Sequence, residues 1–366
     1  MHRTAPSLRI RLLTPIALAL TLSSSSLAVN DDKNDKAAVT VMTRNMDSGT
    51  DLGFIFAATT FPSFVSAVAA TYAEINASNI PQRAGRLADE IAAEQPDLIG
   101  LQEVTLWRTG PLNNPVATTV LYDQLQLLLA DLAKRNLHYS LVAVQNLLDA
   151  QTPDFADGIN VRITDRNAVL ARSDLPPGHL DILNVRAQRY AAVLNITNAI
   201  LGTIPNPRGF IAAEVIVRGT RFKFVTTHLE SLSPDPATTT IQLAQANELI
   251  TAFSSANEPV ILAGDFNANA DPGPDHTAVT ANLQAAGFRD AWRTAHPAKF
   301  GSTWPLFLED QFAGTAVVPF ERIDLIFGRA VQVLDAEQTG LTPLYGSDHV
   351  GVVATLLPEK HSMHDR

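Results

Sequence analysis

Five short apolar runs in the chain end or begin on Asn, Gln, Asp, Glu or His. Together such side chains can hold a hard cation through oxygen and move protons through carboxylate and imidazole. Pro259-Val-Ile-Leu-Ala263 is followed by Gly264, Asp265, Phe266 and Asn267, Ala38–Thr43 by Arg44 and Asn45, and Asp97–Leu101 by Gln102 and Glu103. Phe222–Thr227 ends on His228 with Glu230 just beyond, and Asp348-His349 opens the run Val350–Leu357. Each run reads as a buried strand, being short, apolar and partly β-branched. Gly264 is expected to break its strand, and side-chain alternation on an extended chain would put Asp265 and Asn267 on one side. Taken alone, that pair is explained equally well by an Asx-rich turn capping a strand. Core packing gives no reason to repeat the arrangement at five strands, whereas a polar site along one rim of a sheet does.

The elements that must position these residues alternate irregularly between helix and strand. Residues 46–82 form an insertion in which Phe61, Phe64, Val65, Val68 and Tyr72 recur at helical spacing. The stripe predicts a helix packed on the body, with a membrane-contacting lid as the alternative. Further helices are predicted over Arg83–Glu94, ending before Pro96, over Asp123–Arg135, and over Thr239–Ser254 after Pro234 and Pro236. Pro205, Pro207 and Gly209 mark a loop before the strand Phe210–Val217. That strand and Phe222–Thr227 are joined without a helix, which favours mixed sheets over purely parallel ones.

Asn45, Gln102-Glu103, Thr227-His228-Leu229, Gly264-Asp265-Phe266-Asn267, Arg322-Ile323-Asp324 and Ser347-Asp348-His349 occur in this order along nearly the whole chain. In these segments the chain resembles the endonuclease/exonuclease/phosphatase superfamily, which includes pancreatic deoxyribonuclease, abasic-site endonucleases, inositol polyphosphate phosphatases and neutral sphingomyelinases. The resemblance implies an α/β fold, a four-layer α/β/β/α sandwich of two mixed sheets flanked by helices, with the site at one rim. It also implies Mg²⁺, or Mn²⁺, bound by Glu103 with Asn45 and Asp348 in support. His228 and His349 would contact the scissile phosphate, and Asp324 would orient His349. Asp265 would orient or deprotonate the attacking water, with Asn267 bonding the phosphate or that water. Arg208 falls where some members place a phosphate-binding Arg or Tyr, and Trp304 resembles an aromatic near the substrate. A solvated loop arginine and a core tryptophan are the alternatives. Asn167 either supports the site or caps its strand. His138, His179, His276 and His296 lie outside any motif and read as surface or structural residues.

Cleaving a phosphate ester asks for an in-line nucleophile, neutralisation of charge growing on the phosphoryl oxygens, and help for the leaving oxygen. A hard divalent ion on carboxylate and amide oxygens suits that demand. The chain has no cysteine and no paired His at zinc spacing, which argues against a soft-ligand metal site and rules out disulfides. The expected activity is hydrolysis of a phosphodiester in nucleic acid or phospholipid. A phosphomonoesterase of the same fold and a non-catalytic binding module are the alternatives. The insertion favours an apolar substrate, and a nuclease would need Lys and Arg clustered at the site rim.

Arg3, Arg9 and Arg11, an apolar run Leu12–Leu22 and Ser26-Leu27-Ala28 read as a secretory signal peptide over residues 1–28. An uncleaved anchor is the alternative, but the run is shorter than the about 20 residues of a membrane-spanning helix. Residues 29–37 are a polar linker, 38–358 the domain and 359–366 a polar tail containing His361 and His364. No later segment is long and apolar enough to span a bilayer, so a secreted or periplasmic protein cleaved near Ala28 is expected, with no obligate protein partner. Loss of residues 1–28 removes three arginines and no acid, taking the net charge from −10 to −13. That balance weakens any non-specific grip on polyanions, although the field near a bound metal differs from the net charge.

Overall fold

Successive side chains of the central strands point into two different cores, and this alternation sets the layering. In the computed structural model the described residues are 37–233, 235–273, 275–306 and 318–360. The expected signal segment, residues 29–36 of the expected linker and residues 361–366 of the tail lie outside them. In chain order the strands are β1 (Val39–Asn45), β2 (Leu98–Gln102), β3 (Leu106–Pro111), β4 (Thr119–Asp123), β5 (Tyr139–Asp154), β6 (Ile159–Arg172), β7 (Leu180–Arg189) and β8 (Leu194–Asn198). They continue as β9 (Gly202–Asn206), β10 (Gly209–Val217), β11 (Thr220–His228), β12 (Val260–Asp265), β13 (Arg289–Asp290), β14 (Asp324–Arg329), β15 (Val331–Thr339) and β16 (Gly351–Pro358). The helices are α1 (Gly53–Ala57), α2 (Phe61–Ala77), α3 (Ile80–Glu94), α4 (Gln124–Lys134), α5 (Pro236–Phe253), α6 (Val279–Ala285) and α7 (Ala291–Ala295).

One sheet has the order β15-β16-β1-β2-β6-β3-β4, with β5 also paired to β6, and a second has the order β13-β14-β12-β11-β10-β7. Val39, Val41 and Leu98 of the first sheet meet Phe222, Phe224, Ile261 and Ile326 of the second in one buried core. Their neighbours Met42 and Ile99 face the other way, onto Leu87 and Ile91 of α3 and Leu128 of α4. Val225, Leu262 and Phe327 likewise face Leu249 and Phe253 of α5 and Leu283 of α6. The result is helices, sheet, sheet, helices, the expected four-layer sandwich, and it follows from strands apolar on both faces.

Strand direction then gathers the polar ends. β1 and β2 are parallel while β16 runs antiparallel to β1, so the ends of the first two share an edge with the start of the third. β11 and β12 are parallel and β14 antiparallel, with His228 beside Asp265 and Asp265 beside Asp324 in register. The sheets are joined near this edge by Gln102, whose Nε2 donates to Thr226 Oγ1 at 2.9 Å. A side chain at Gly100 would place its Cβ 2.4 Å from that same hydroxyl, so glycine permits the approach.

Several boundaries differ from expectation. β12 does not break at Gly264 but continues to Asp265. Gly264 is there because a Cβ would lie 2.2 Å from the carbonyl oxygen of Thr227 on β11. α3 starts at Ile80, three residues before the expected Arg83, following Asn79 in a left-handed conformation. α5 starts at Pro236, where Asp235 caps the helix by accepting from Ala237 N. The insertion holds two helices, α1 and α2, and the predicted stripe lies on α2 with Phe64 and Val68 buried while Phe61 is exposed. Gly264→Ala is expected to destabilise the protein by about 1–3 kcal/mol, because the obstacle is main chain and cannot swing away. An unchanged thermal midpoint would show that the two strands part without cost.

Candidate active site

Each functional side chain sits where its strand leaves the sheet. Asn45, the last residue of β1, donates through Nδ2 to Glu103 Oε1 and to Asp265 Oδ2, both at 3.0 Å, and accepts from Asp47 N at 2.8 Å. Glu103 follows β2 in a left-handed conformation, φ 52°, a region that disfavours side-chain-bearing residues. The turn lets its Oε2 accept from Ser48 N at 2.8 Å. Asp265 Oδ2 lies 3.5 Å from His228 Nε2 and 3.9 Å from His349 Nε2. His349 Nδ1 is 2.8 Å from Asp324 Oδ2. Asn45, Glu103, His228, Asp265, Asp324 and His349 are therefore brought together as a continuous chain of contacts.

The remaining site residues occupy surrounding positions. Asn267 does not reach the rim by strand alternation. The chain turns left-handed there, φ 48°, its amide donates to Asp265 Oδ1 at 2.8 Å, and its Nδ2 donates to Leu229 O at 3.0 Å. The Asx turn weighed for this segment is thus present, and it fixes Asp265. Arg208 is buried, with Nη1 3.0 and 3.2 Å from the two ring nitrogens of His228 and Nη2 3.4 Å from Glu230 Oε1. It is no solvated loop arginine. Trp304 is half-buried, and its Nε1 donates to Asp348 Oδ2 at 3.1 Å. Asp348 Oδ1 lies 3.8 Å from His349 Nε2, so Asp348 adjoins the histidine. Asn167 is buried and donates to Gly209 O at 3.3 Å, tying the two sheets together behind the site.

Burial and neighbouring charge divide these groups by protonation. Burial, reinforced by the carboxylate of Asp324, pushes Asp265 above the ordinary carboxylate range. Burial alone would lower His349, but the carboxylates of Asp324, Asp348 and Asp265 outweigh it and hold the imidazole well above its usual value. For His228, burial and then the positive charges of Arg208 and His349 act together and hold it well below. Near neutral pH the site therefore presents one imidazolium, one neutral imidazole and one carboxyl group able to exchange a proton.

The donor set suits a hard cation. Glu103, His228 and Asp265 offer ligand atoms within 4.8 Å of one another, as do Asp265, Asp324 and His349. In the second group the Asp324–His349 bond already commits two members. In the first, a cation beside Glu103 would favour the charged form of Asp265 against the burial and the Asp324 carboxylate that raise it. Mg²⁺ is commonly held by one or two carboxylates with several waters, and Glu103 is partly exposed, as that arrangement requires. Asn45, with its NH₂ on both carboxylates and its carbonyl on the Asp47 amide, orients Glu103 and Asp265.

Some supporting residues carried no readable signal of function. Gln242 and Gln245 of α5 are fully buried. Gln242 Nε2 donates to Glu230 O at 2.9 Å and Asn267 O at 2.6 Å, clasping the loops that follow β11 and β12. Gln245 accepts from Glu230 N at 2.8 Å and donates to Ala192 O at 3.0 Å. Two glutamines at i, i+3 on the core-facing stripe of α5 are the only hint of this in sequence. Thr303 Oγ1 accepts from the amides of Ile323 and Asp324, both at 3.1 Å, and Arg44 Nη1 donates to His349 O at 2.6 Å. Asp165 lies 3.9 Å from Arg208, and burial, with Glu103 adding to it, raises its carboxyl to about 6 against the pull of Arg208.

Comparison with known proteins agrees with the family and the fold. The profile of the Endonuclease/Exonuclease/phosphatase family matches residues 73–349. No curated protein matches the chain by sequence. Among solved structures, an endonuclease/exonuclease/phosphatase from Bacteroides vulgatus superposes with a TM-score of 0.56 at 18% identity, covering 88% of this chain and 100% of that one. One from Beutenbergia cavernae DSM 12333 gives 0.54 at 19% identity, covering 88% and 72%. A humanised D. rerio TDP2 gives 0.52 at 18% identity, covering 87% and 99%. At these identities the likeness is one of fold.

Proposed function

The chain belongs to the endonuclease/exonuclease/phosphatase family, and from that premise we propose that it is an exported, Mg²⁺-dependent phosphodiesterase that cleaves by in-line attack of water. The observation that carries this reading is the position of Asp265 Oδ2, within 4 Å of His228 Nε2, His349 Nε2 and Asn45 Nδ2. A carboxylate of raised basicity there can take the proton of a water held between the two imidazoles. His349, kept protonated by Asp324, donates to a phosphoryl or leaving oxygen. His228, kept neutral, donates one N–H to the phosphate while Arg208 holds its ring. Glu103 would hold the divalent ion, which would supply positive charge for the phosphoryl oxygens. A diester bears one negative charge against nearly two on a monoester, which suits a site carrying Glu103, Asp265, Asp324 and Asp348.

Methyl p-nitrophenyl phosphate and p-nitrophenyl phosphate, each with Mg²⁺ and with EDTA, test the proposal. Release of nitrophenol from the diester, lost with EDTA and restored by excess Mg²⁺, is the expected result. Faster turnover of the monoester would overturn the diester assignment. No turnover of either with Mg²⁺ or Mn²⁺ would leave the binding-module reading in its place.

Export rests on the basic start, the apolar run and Ser26-Leu27-Ala28. Among the described residues no helix is long and apolar enough to cross a membrane. The processed protein should begin at or near Val29, as read by N-terminal sequencing of exported material. Recovery of residues 1–28 on protein in the membrane fraction would mean an anchor.

A further inference from the structure

Two chain segments leave the site on its Glu103–His228 flank and meet again outside it. The first begins after Asn45, where Ser48 N bonds Glu103, and runs into α1. The second is the β8–β9 hairpin, whose last residue, Asn206, bonds Glu230 at 3.0 and 3.1 Å, the acid that pairs with Arg208 beside His228. The two are pinned by Asn198, a buried hairpin residue. Its Nδ2 donates to Ile55 O, Phe56 O and Ala58 O at 3.2, 3.0 and 3.0 Å, and its Oδ1 accepts from Ile200 N and Leu201 N at 2.8 and 2.9 Å. Leu201 packs against Ile55, Ala58, Phe64 and Val68. Asn198 thus satisfies the carbonyls that α1 leaves open at its end, and the bridge is a fixed part of the fold.

The bridge is devoid of positive charge. Residues 46–82 and 194–206 contain no Lys or Arg and carry three acids, Asp47, Asp51 and Glu74. Arg208, beside His228, and Arg322, two residues before Asp324, are buried in ion pairs with Glu230 and with Asp271 and Asp290, while Arg189, exposed on β7 one strand beyond Gly209, is turned onto the main-chain oxygens of Asn146 and Leu147. A polynucleotide brings a phosphate at every residue, and its binding depends on Lys and Arg that neutralise them. Among its exposed polar residues the bridge also presents large apolar side chains, Phe54 at 65% exposure and Ile200. On the opposite flank the loops that lead into Asp324 and His349 expose Phe320, at 53%, and Leu344, and Phe320 stacks edge-on against Trp304.

We propose that these two flanks select a phosphodiester whose esterified alcohol is apolar and uncharged, a monomeric amphiphile in place of a polynucleotide. The proposal rests on the phosphodiesterase reading and specifies its substrate class. In the reaction water oxygen bonds to phosphorus, the bond from phosphorus to the apolar alcohol breaks, and His349 protonates the departing oxygen. Large apolar side chains exposed on both sides of one charged site suit an apolar alcohol esterified to the phosphate it binds.

The test compares dihexanoyl phosphatidylcholine below its micelle concentration, a single-stranded DNA oligonucleotide, and methyl p-nitrophenyl phosphate as reference, each with Mg²⁺. The expected kcat/KM for the lipid exceeds that for DNA, per phosphodiester, by about a hundredfold. The exposed pair Phe54→Ser and Phe320→Ser should lower the ratio of lipid to reference turnover about tenfold. DNA cleaved as fast as the lipid, or a ratio unmoved by the double substitution, would overturn the proposal while the reference reaction upheld the phosphodiesterase. Failure of all three substrates would remove both.

Discussion

Glu103→Ala should abolish metal-dependent turnover while leaving the protein folded. Its carboxylate is partly exposed and among the described residues accepts from Asn45 Nδ2 and Ser48 N, so its loss leaves no buried cavity. The rate should fall on the order of a thousandfold, the cost of several kcal/mol of charge stabilisation that exists only when the cation is in place. Glu103→Gln keeps the volume but neither the charge nor one of the two acceptors that Asn45 Nδ2 and Ser48 N use, and it should lose activity nearly as completely. If Glu103 served only to hold the start of the insertion, Glu103→Gln would keep most of its rate and Glu103→Ala would lower the thermal midpoint. Turnover at saturating Mg²⁺ within tenfold of the parent would take Glu103 out of the ligand role.

The strand ends were legible because each joins a short β-branched run to a polar residue, and both strand direction and register preserve that adjacency in space. Asn45, His228 and Asp265 occupy the last positions of β1, β11 and β12, as their order along the chain implies. The flanking layers were legible where helices carry a clear apolar stripe, as in α4. The hairpin of β5 and β6 was not. β5 buries no regular face, and its register with β6 shifts at Leu141/Ala143 and Asn146/Asp149, so the two-residue period is lost. β7, mostly exposed along its length, has no period to read either. Asn267 was misplaced because a left-handed residue interrupts alternation, and an Asn is compatible with either conformation. Gln242, Thr303 and Arg208 act through main chain or through another side chain, and such roles depend on tertiary distance alone. Arg208 could be flagged as a candidate by position, but its seat beside His228 and Glu230 could not.

His349→Ala and Asp324→Ala should each cost a factor of roughly a hundred or more in turnover, and the double substitution should be little worse than His349→Ala. The two are bonded at 2.8 Å and both are buried, and Asp324 Oδ1 has no other partner among the described residues. The competing role for Asp324, pairing with Arg322, is already filled, since Arg322 reaches Asp290 at 2.6 Å and Asp271 at 3.1 Å. A carboxylate that raises the imidazole's basicity also leaves a signature in pH. His349 must be protonated to donate, so activity falls as pH rises through its elevated value. Asp324→Asn removes the charge, lowers that value, and should move the basic limb of the kcat/KM profile to lower pH. Stability follows the same sign. The pair's contribution is fully present below the unfolded histidine value of 6.5 and is lost as pH rises through the folded one, so the midpoint difference between parent and Asp324→Asn should shrink at high pH. A purely structural Asp324 would shift the thermal midpoint alike at every pH and leave the basic limb in place. Additive losses in rate across the three variants, with unmoved pH profiles, would show that the two side chains work apart.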